Sequence, residues 1–169
     1  VLQYGLERFC REAAAAGVDG VVLPDLPLRE YLREYRECFE SNKLSAVFLI
    51  TPSTSDERIL QIDEASNGFV YAVSSAAITG THHEFPNSLD KYLSRLRSLG
   101  LRNPWLVGFG ISDRKTFQKV CEFGSGAIIG SAFVKMLENS ANLESDVRDF
   151  MESIKVQASM SDLTTDSQS

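Results

Sequence analysis

Three apolar runs in this chain each end in glycine and a hydroxyl residue: FVYAVSSAAITG over residues 69–80, LVGFGIS over 106–112 and GAIIGSA over 126–132. The last two lead directly into amphipathic helices. Consecutive strands that end this way are how a parallel α/β barrel holds a phosphate. Glycine lets backbone N–H groups approach an anion, and a helix N-terminus adds partial positive charge. One pattern therefore constrains both fold class and ligand class.

The rest of the chain alternates helix and strand. Leu6, Phe9, Cys10, Ala13 and Ala14 share a face of a helix over residues 6–16, ended by Gly17. Residues 20–23 read as a strand buried on both faces. Pro27 starts a helix whose apolar stripe is Leu28, Tyr31, Leu32, Tyr35 and Phe39. Residues 46–50 are the second strand, and Thr54 with Glu57 reads as a capping box for a helix over 56–65. The third strand is 69–73, followed by a long loop over 74–87 and a helix marked by Leu89, Tyr92, Leu93 and Leu96. Strands at 105–108 and 127–129 follow. Ser112 or Asp113 caps the helix after the first of these, Ser131 opens the helix after the second, and a final helix carries Leu143, Val147, Phe150, Met151 and Ile154.

Strands recur at the spacing of βα units, and five such units point to a parallel sheet. A closed barrel needs about 250 residues and eight strands. The expectation is an open sheet or the C-terminal part of a (β/α)8 TIM barrel, spanning residues 1–157, with a polar Ser/Thr-rich tail over 158–169.

A formal charge of −6 argues against a nucleic-acid binder, and no apolar run approaches the length of a membrane span. The first residues show no signal-peptide pattern. Cys10, Cys38 and Cys121 lack metal or redox spacing and fit a reduced, cytoplasmic setting, where they fill helix faces as small apolar residues.

The candidate site residues sit at strand ends. Gly108, Gly110 and Ser112, then Gly130 and Ser131, form adjacent phosphate loops, and Gly80 can close over the same anion. Phe109, between two glycines at a strand mouth, suits a flat apolar ligand. Tyr71 is either a structural tyrosine or one pointing towards substrate. Asp25 is a candidate acid or base, but its place before a Pro-started helix favours a cap. His82 and His83 lie together in the long loop with no carboxylate or cysteine cluster, and read as a solvated pair; no metal site is expected. Ser74 and Ser75 lack a His–Asp pattern. The strand ends thus offer a phosphate grip but almost no acid or base.

These motifs, with GVDGVVLPDLP over residues 17–27 and ITPSTSDER over 50–58, resemble the tryptophan synthase alpha chain family from the first residue to about Gln157. The resemblance implies a (β/α)8 barrel of which this chain carries strands four to eight. It implies a lyase cleaving indole-3-glycerol phosphate to indole and glyceraldehyde 3-phosphate in tryptophan biosynthesis. Gly80, Gly110, Gly130 and Ser131 would hold the phosphate, and Phe109, Val22 and Leu49 would line the indole pocket. Tyr71 would assist near the reacting centre, while Pro24, Asp25 and Pro27 would face a beta chain. The loop over 74–87 would be a mobile lid. The chain itself would carry no cofactor. Pyridoxal phosphate would belong to the beta chain, in an alpha2beta2 assembly. The family's essential Glu and Asp would lie upstream of Val1, leaving this segment alone inactive and poorly folded. Ser75 stands where some members carry Arg, and Ala77 where Gly is common. Two other readings are a non-catalytic module that binds and activates a beta chain, and another phosphate-binding barrel enzyme.

Overall fold

The computed structural model describes residues 3–74, 85–108, 110–111 and 113–155. The expected tail over 158–169, the lid residues 75–84 with Gly80, His82 and His83, and also Phe109 and Ser112, lie outside the described residues.

The described helices are α1 (Leu6–Ala15), α2 (residues 28–41), α3 (Asp56–Ala65), α4 (Phe85–Ser98), α5 (Arg114–Cys121), α6 (Ser131–Glu138) and α7 (Leu143–Ile154). The strands are β1 (Gly20–Val22), β2 (Ser45–Ile50), β3 (Val70–Val73), β4 (Trp105–Gly108) and β5 (Gly126–Ile128). They form one parallel sheet in the order β1-β2-β3-β4-β5. No strand is skipped and the order never reverses, which separates a barrel-type winding from a doubly wound sheet. The first half of β2 pairs with β1 (Val47 beside Val22), and its second half pairs with β3 (Phe48 beside Val70). That stagger is what tilted barrel strands require.

Side chains alternate between the two faces of each strand. Ala46, Phe48, Ile50, Val70, Ala72, Trp105 and Val107 join the helices in a single apolar core. Tyr31 packs edge-on against Phe39 and Phe48 at centroid distances of 5.7 and 5.0 Å. Leu49, Tyr71 and Leu106, in register across β2, β3 and β4, occupy the other face.

Several local expectations change. In α2, Leu28–Glu30 and Arg36–Ser41 are α-helical, but Tyr31–Tyr35 is a π-helical turn. Its wider turn holds Tyr31, Tyr35 and Phe39 inward at a four-residue interval and turns Leu32 out, 45% exposed, although the 3.6 period placed it in the stripe. Pro27 is the N-cap rather than the first helical residue, and no side chain caps α2. Asp25 therefore does not cap this helix; it lies exposed in the turn closed by the Leu26 N–H on the Leu23 carbonyl. Ser55, not Thr54, caps α3 by accepting from the Arg58 N–H. The Thr54 hydroxyl instead accepts from the Thr51 N–H at 2.9 Å. Helical backbone already begins at Phe85, inside the expected loop, with Pro86 in a first turn that tolerates it. Of the two expected caps of α5, Asp113 serves, in a reciprocal capping box with Thr116.

Two side chains tie the βα units together. The Asp63 carboxylate, 3% exposed, accepts from the backbone N–H groups of Arg102 and Asn103 at 2.8 and 3.0 Å and from the Asn103 side-chain amide at 3.0 Å. This fixes the end of α3 to the turn entering β4. Arg95 of α4 reaches the β2–α3 turn, donating to Asp56 at 2.6 Å and to the carbonyls of Pro52 and Thr54. Cys10 and Cys38 meet where α1 packs on α2; burial first, and the neighbouring Cys38 thiol second, push the Cys10 thiol up to about 12.

Asp63→Ala should strip two backbone N–H groups of their acceptor and cost about 2–3 kcal/mol in urea unfolding of the full-length protein. Asp113→Ala should cost about 1 kcal/mol. The Thr116 N–H holds the Asp113 carboxyl below its ordinary 3.8, so this contribution is complete above pH 3.8 and fades as pH falls through the lower folded-state value. Unfolding curves for wild type and Asp113→Ala should therefore converge in strong acid.

Candidate functional site

Parallel pairing gathers every strand's carboxyl end on one side of the sheet. On the face away from the helices, Val22, Leu49 and Tyr71 come from three neighbouring strands. Val22 is 42% exposed at the end of β1, while Leu49 and Tyr71 are half-buried. A cavity of about 210 Å³ opens where the ends of β1 and β2 meet the starts of α2 and α3, with Pro24, Pro27, Phe48, Leu49, Arg58 and Ile62 in its wall. Pro24, Asp25 and Pro27 are exposed beside it.

Tyr71 is held by a glycine. A Cβ on Gly108 of β4 would overlap Tyr71 Oη and Cζ and come within 2.6 Å of Cε1. Gly108 is in register with Val73, two residues along β3 from Tyr71 on the same face, so the phenol leans across the neighbouring strand. Burial raises the Tyr71 phenol above its ordinary value, keeping it a neutral hydroxyl at physiological pH. The sequence singled out Gly108 as a phosphate-loop glycine; its packing explanation is the Tyr71 ring.

The other glycines differ. Gly110 has φ 75°, a left-handed turn that a side chain resists. Among the described residues Gly130 has neither constraint: its φ is −102°, and an added Cβ would meet none of them within 4 Å. It is the N-cap of α6, with no side-chain cap on the helix. Ser131 is the first residue of α6, and Gly110, Gly130 and Ser131 are all exposed. The first-turn N–H groups of α6 thus stand open beside a serine hydroxyl, the arrangement that receives an anion at a helix start. Gly80 and Phe109 lie outside the described residues. Among the described residues, no group of His, Cys, Asp and Glu could hold a metal ion, and no helix is long and apolar enough to cross a membrane.

A singly wound parallel βα sheet, with its strands in sequence order and the helices packed on one face, defines a barrel-type α/β class. Comparison with known proteins narrows this. The family described as tryptophan synthase alpha chain matches residues 1–164, and this chain belongs to that family. It is 51% identical over 142 residues to the tryptophan synthase alpha chain of Flavobacterium johnsoniae, covering 84% of this chain and 56% of that one. A solved mutant alpha-subunit from Pyrococcus furiosus is similar with TM-score 0.76 and 34% identity, over 90% of this chain and 61% of that chain. A tryptophan synthase complex from the same organism matches with TM-score 0.72 and 32% identity, over 90% of this chain and 60% of that one. The chain therefore spans between half and two thirds of the length of these relatives, and its five strands are consecutive strands of a (β/α)8 barrel.

Gly108→Ala should displace Tyr71 and cost about 1–3 kcal/mol in the full-length protein. In a Tyr71→Ala background the same change should cost far less, because the ring is gone. A double-mutant cycle by urea unfolding measures this; additive costs would mean that Tyr71 does not occupy the Gly108 slot.

Proposed function

We propose that the full-length protein is the indole-3-glycerol phosphate lyase of tryptophan biosynthesis, releasing indole and glyceraldehyde 3-phosphate. Family membership supports the reaction class. The observation that carries the site assignment is Gly130, a glycine with no conformational or packing demand among the described residues, opening directly onto the start of α6. A side chain there would occupy the space an anion needs.

In this reading the substrate phosphate rests on Gly130, Ser131 and Gly110, with Gly80 contributing from the lid. The indole ring lies against Leu49 and Val22, with Phe109 stacked on it. The cleavage delivers a proton to the indole carbon that becomes the leaving group and stabilises positive charge on the indole nitrogen. The carbon–carbon bond breaks as the side-chain hydroxyl loses its proton and becomes the aldehyde carbonyl. A pair of carboxylates from barrel segments outside this chain handles the protons. Tyr71, neutral and fixed against Gly108, assists beside the reacting atoms as a hydrogen-bonding hydroxyl. Pro24, Asp25 and Pro27 present the exposed rim to a pyridoxal-phosphate-bearing beta chain in a cytoplasmic alpha2beta2 assembly, and indole passes across that rim.

The test is Gly130→Asp in the full-length enzyme. A carboxylate at the phosphate subsite should raise KM for indole-3-glycerol phosphate by about tenfold or more and weaken inhibition by glycerol phosphate in parallel. Unchanged KM and unchanged inhibition would remove the phosphate assignment.

A further inference from the structure

On the helical side of the sheet, away from Val22 and Tyr71, α2 and α3 enclose a groove of about 860 Å³. Five of the chain's eleven arginines line it, in a protein whose net charge is −6. Arg29, Arg33 and Arg36 form one row along α2, Arg58 faces them from α3, and Arg102 closes the far end from the turn before β4. Among the described residues Glu64 is the one acidic side chain in the lining; Leu32 supplies exposed apolar surface, and the buried Leu28 and Ala65 lie beneath it.

These guanidinium groups have capacity to spare. Arg29 makes no hydrogen bond or ion pair among the described residues, and Arg58 donates to Gln61 at 3.3 Å. Arg102 gives one side-chain N–H to the Glu64 carbonyl at 3.0 Å. Arg33 and Arg36 pair with Glu34 and Glu40, but all four side chains are about half exposed, and such pairs are weak enough to exchange for an incoming carboxylate. A guanidinium carries five N–H donors in a rigid fork matched to carboxylates.

The geometry favours a chain over a single small anion. From Arg29 to Arg36 the row runs about 10 Å along the helix, beyond the reach of one phosphate. Alternate residues of an extended peptide sit about 7 Å apart on one side, so carboxylates can meet successive arginines while an apolar side chain covers the outward-turned Leu32. We propose that this groove docks an acidic, partly apolar peptide segment of a partner protein. The π-helical turn Tyr31–Tyr35 is what brings Leu32 into that surface.

The experiment uses the full-length protein and a fluorescein-labelled Glu-Leu-Glu-Glu-Leu-Glu peptide, followed by anisotropy. The acidic peptide should bind about tenfold or more tightly than its Gln-for-Glu counterpart, and rising salt should weaken it. Arg29→Glu with Arg33→Glu should weaken binding by a similar factor, while Arg148→Glu on α7 should not. Circular dichroism checks folding, and the milder Arg29→Gln, expected to weaken binding by several-fold, serves if the double variant fails to fold. Equal binding of the Gln peptide, indifference to the arginine changes, or displacement by inorganic phosphate at equal concentration would overturn the proposal. Indole-3-glycerol phosphate cleavage should be unaltered in these variants, so this proposal and the lyase reading stand or fall separately.

Discussion

Parallel pairing from β1 through β5 is the constraint on which the rest of the structure depends. Each strand must return by a helix before the next can pair, so every carboxyl end emerges on the same side. That alone assembles residues far apart in sequence, such as Leu49, Tyr71 and Gly130, along one rim. It also sorts each strand into two faces. One is filled by the helices and carries the core, with Phe39, Ile59, Leu93 and Val107 fully buried. The other keeps Leu49, Tyr71 and Leu106 only partly covered, which leaves them available to a ligand or to further barrel wall.

The βα rhythm was legible because apolar runs and helical stripes have different periods, and both were long enough to read. Strand positions came within a residue or so, and β4 matched at both ends. The failures were local. The shift of the α3 cap from Thr54 to Ser55 depends on a Thr51–Thr54 turn that competes for the threonine hydroxyl. The misplacement of Leu32 follows from a π turn, a departure from the 3.6 period that no spacing rule anticipates. Asp63 and Arg95 escaped notice because their partners, mostly backbone groups and for Arg95 also the Asp56 carboxylate, lie about forty residues away, which pattern reading does not register.

The site was partly legible. The glycines were readable as a class, but their reasons were not. Gly108 makes room for a ring from the adjacent strand, and Gly110 turns the backbone left-handed. Only the folded structure separates these from Gly130, where no described residue makes a demand and, among the described residues, the space beside the helix start is empty of side chains. Asp25 illustrates the reverse. Its position before Pro27 suggested a cap, but a cap needs a side chain one residue before the first helical N–H groups, and the extended Pro27 holds Asp25 too far back.

Gly108 and Gly130 also explain how one rim can combine a rigid and an open part. Tyr71 cannot swing freely, because its ring fills the space above a strand whose own backbone is held by pairing on both sides. In the proposed site, a hydroxyl fixed in this way loses little entropy when substrate arrives. The α6 start presents backbone dipoles that need no rearrangement to meet an anion, because the helix behind them is braced by Phe133 against Phe150 of α7 at 5.5 Å. In the proposed reading, the anion site at β5 and the neutral phenol pinned at β3 lie two strands apart. That separation lets one end of a ligand be gripped while the other is left free for chemistry.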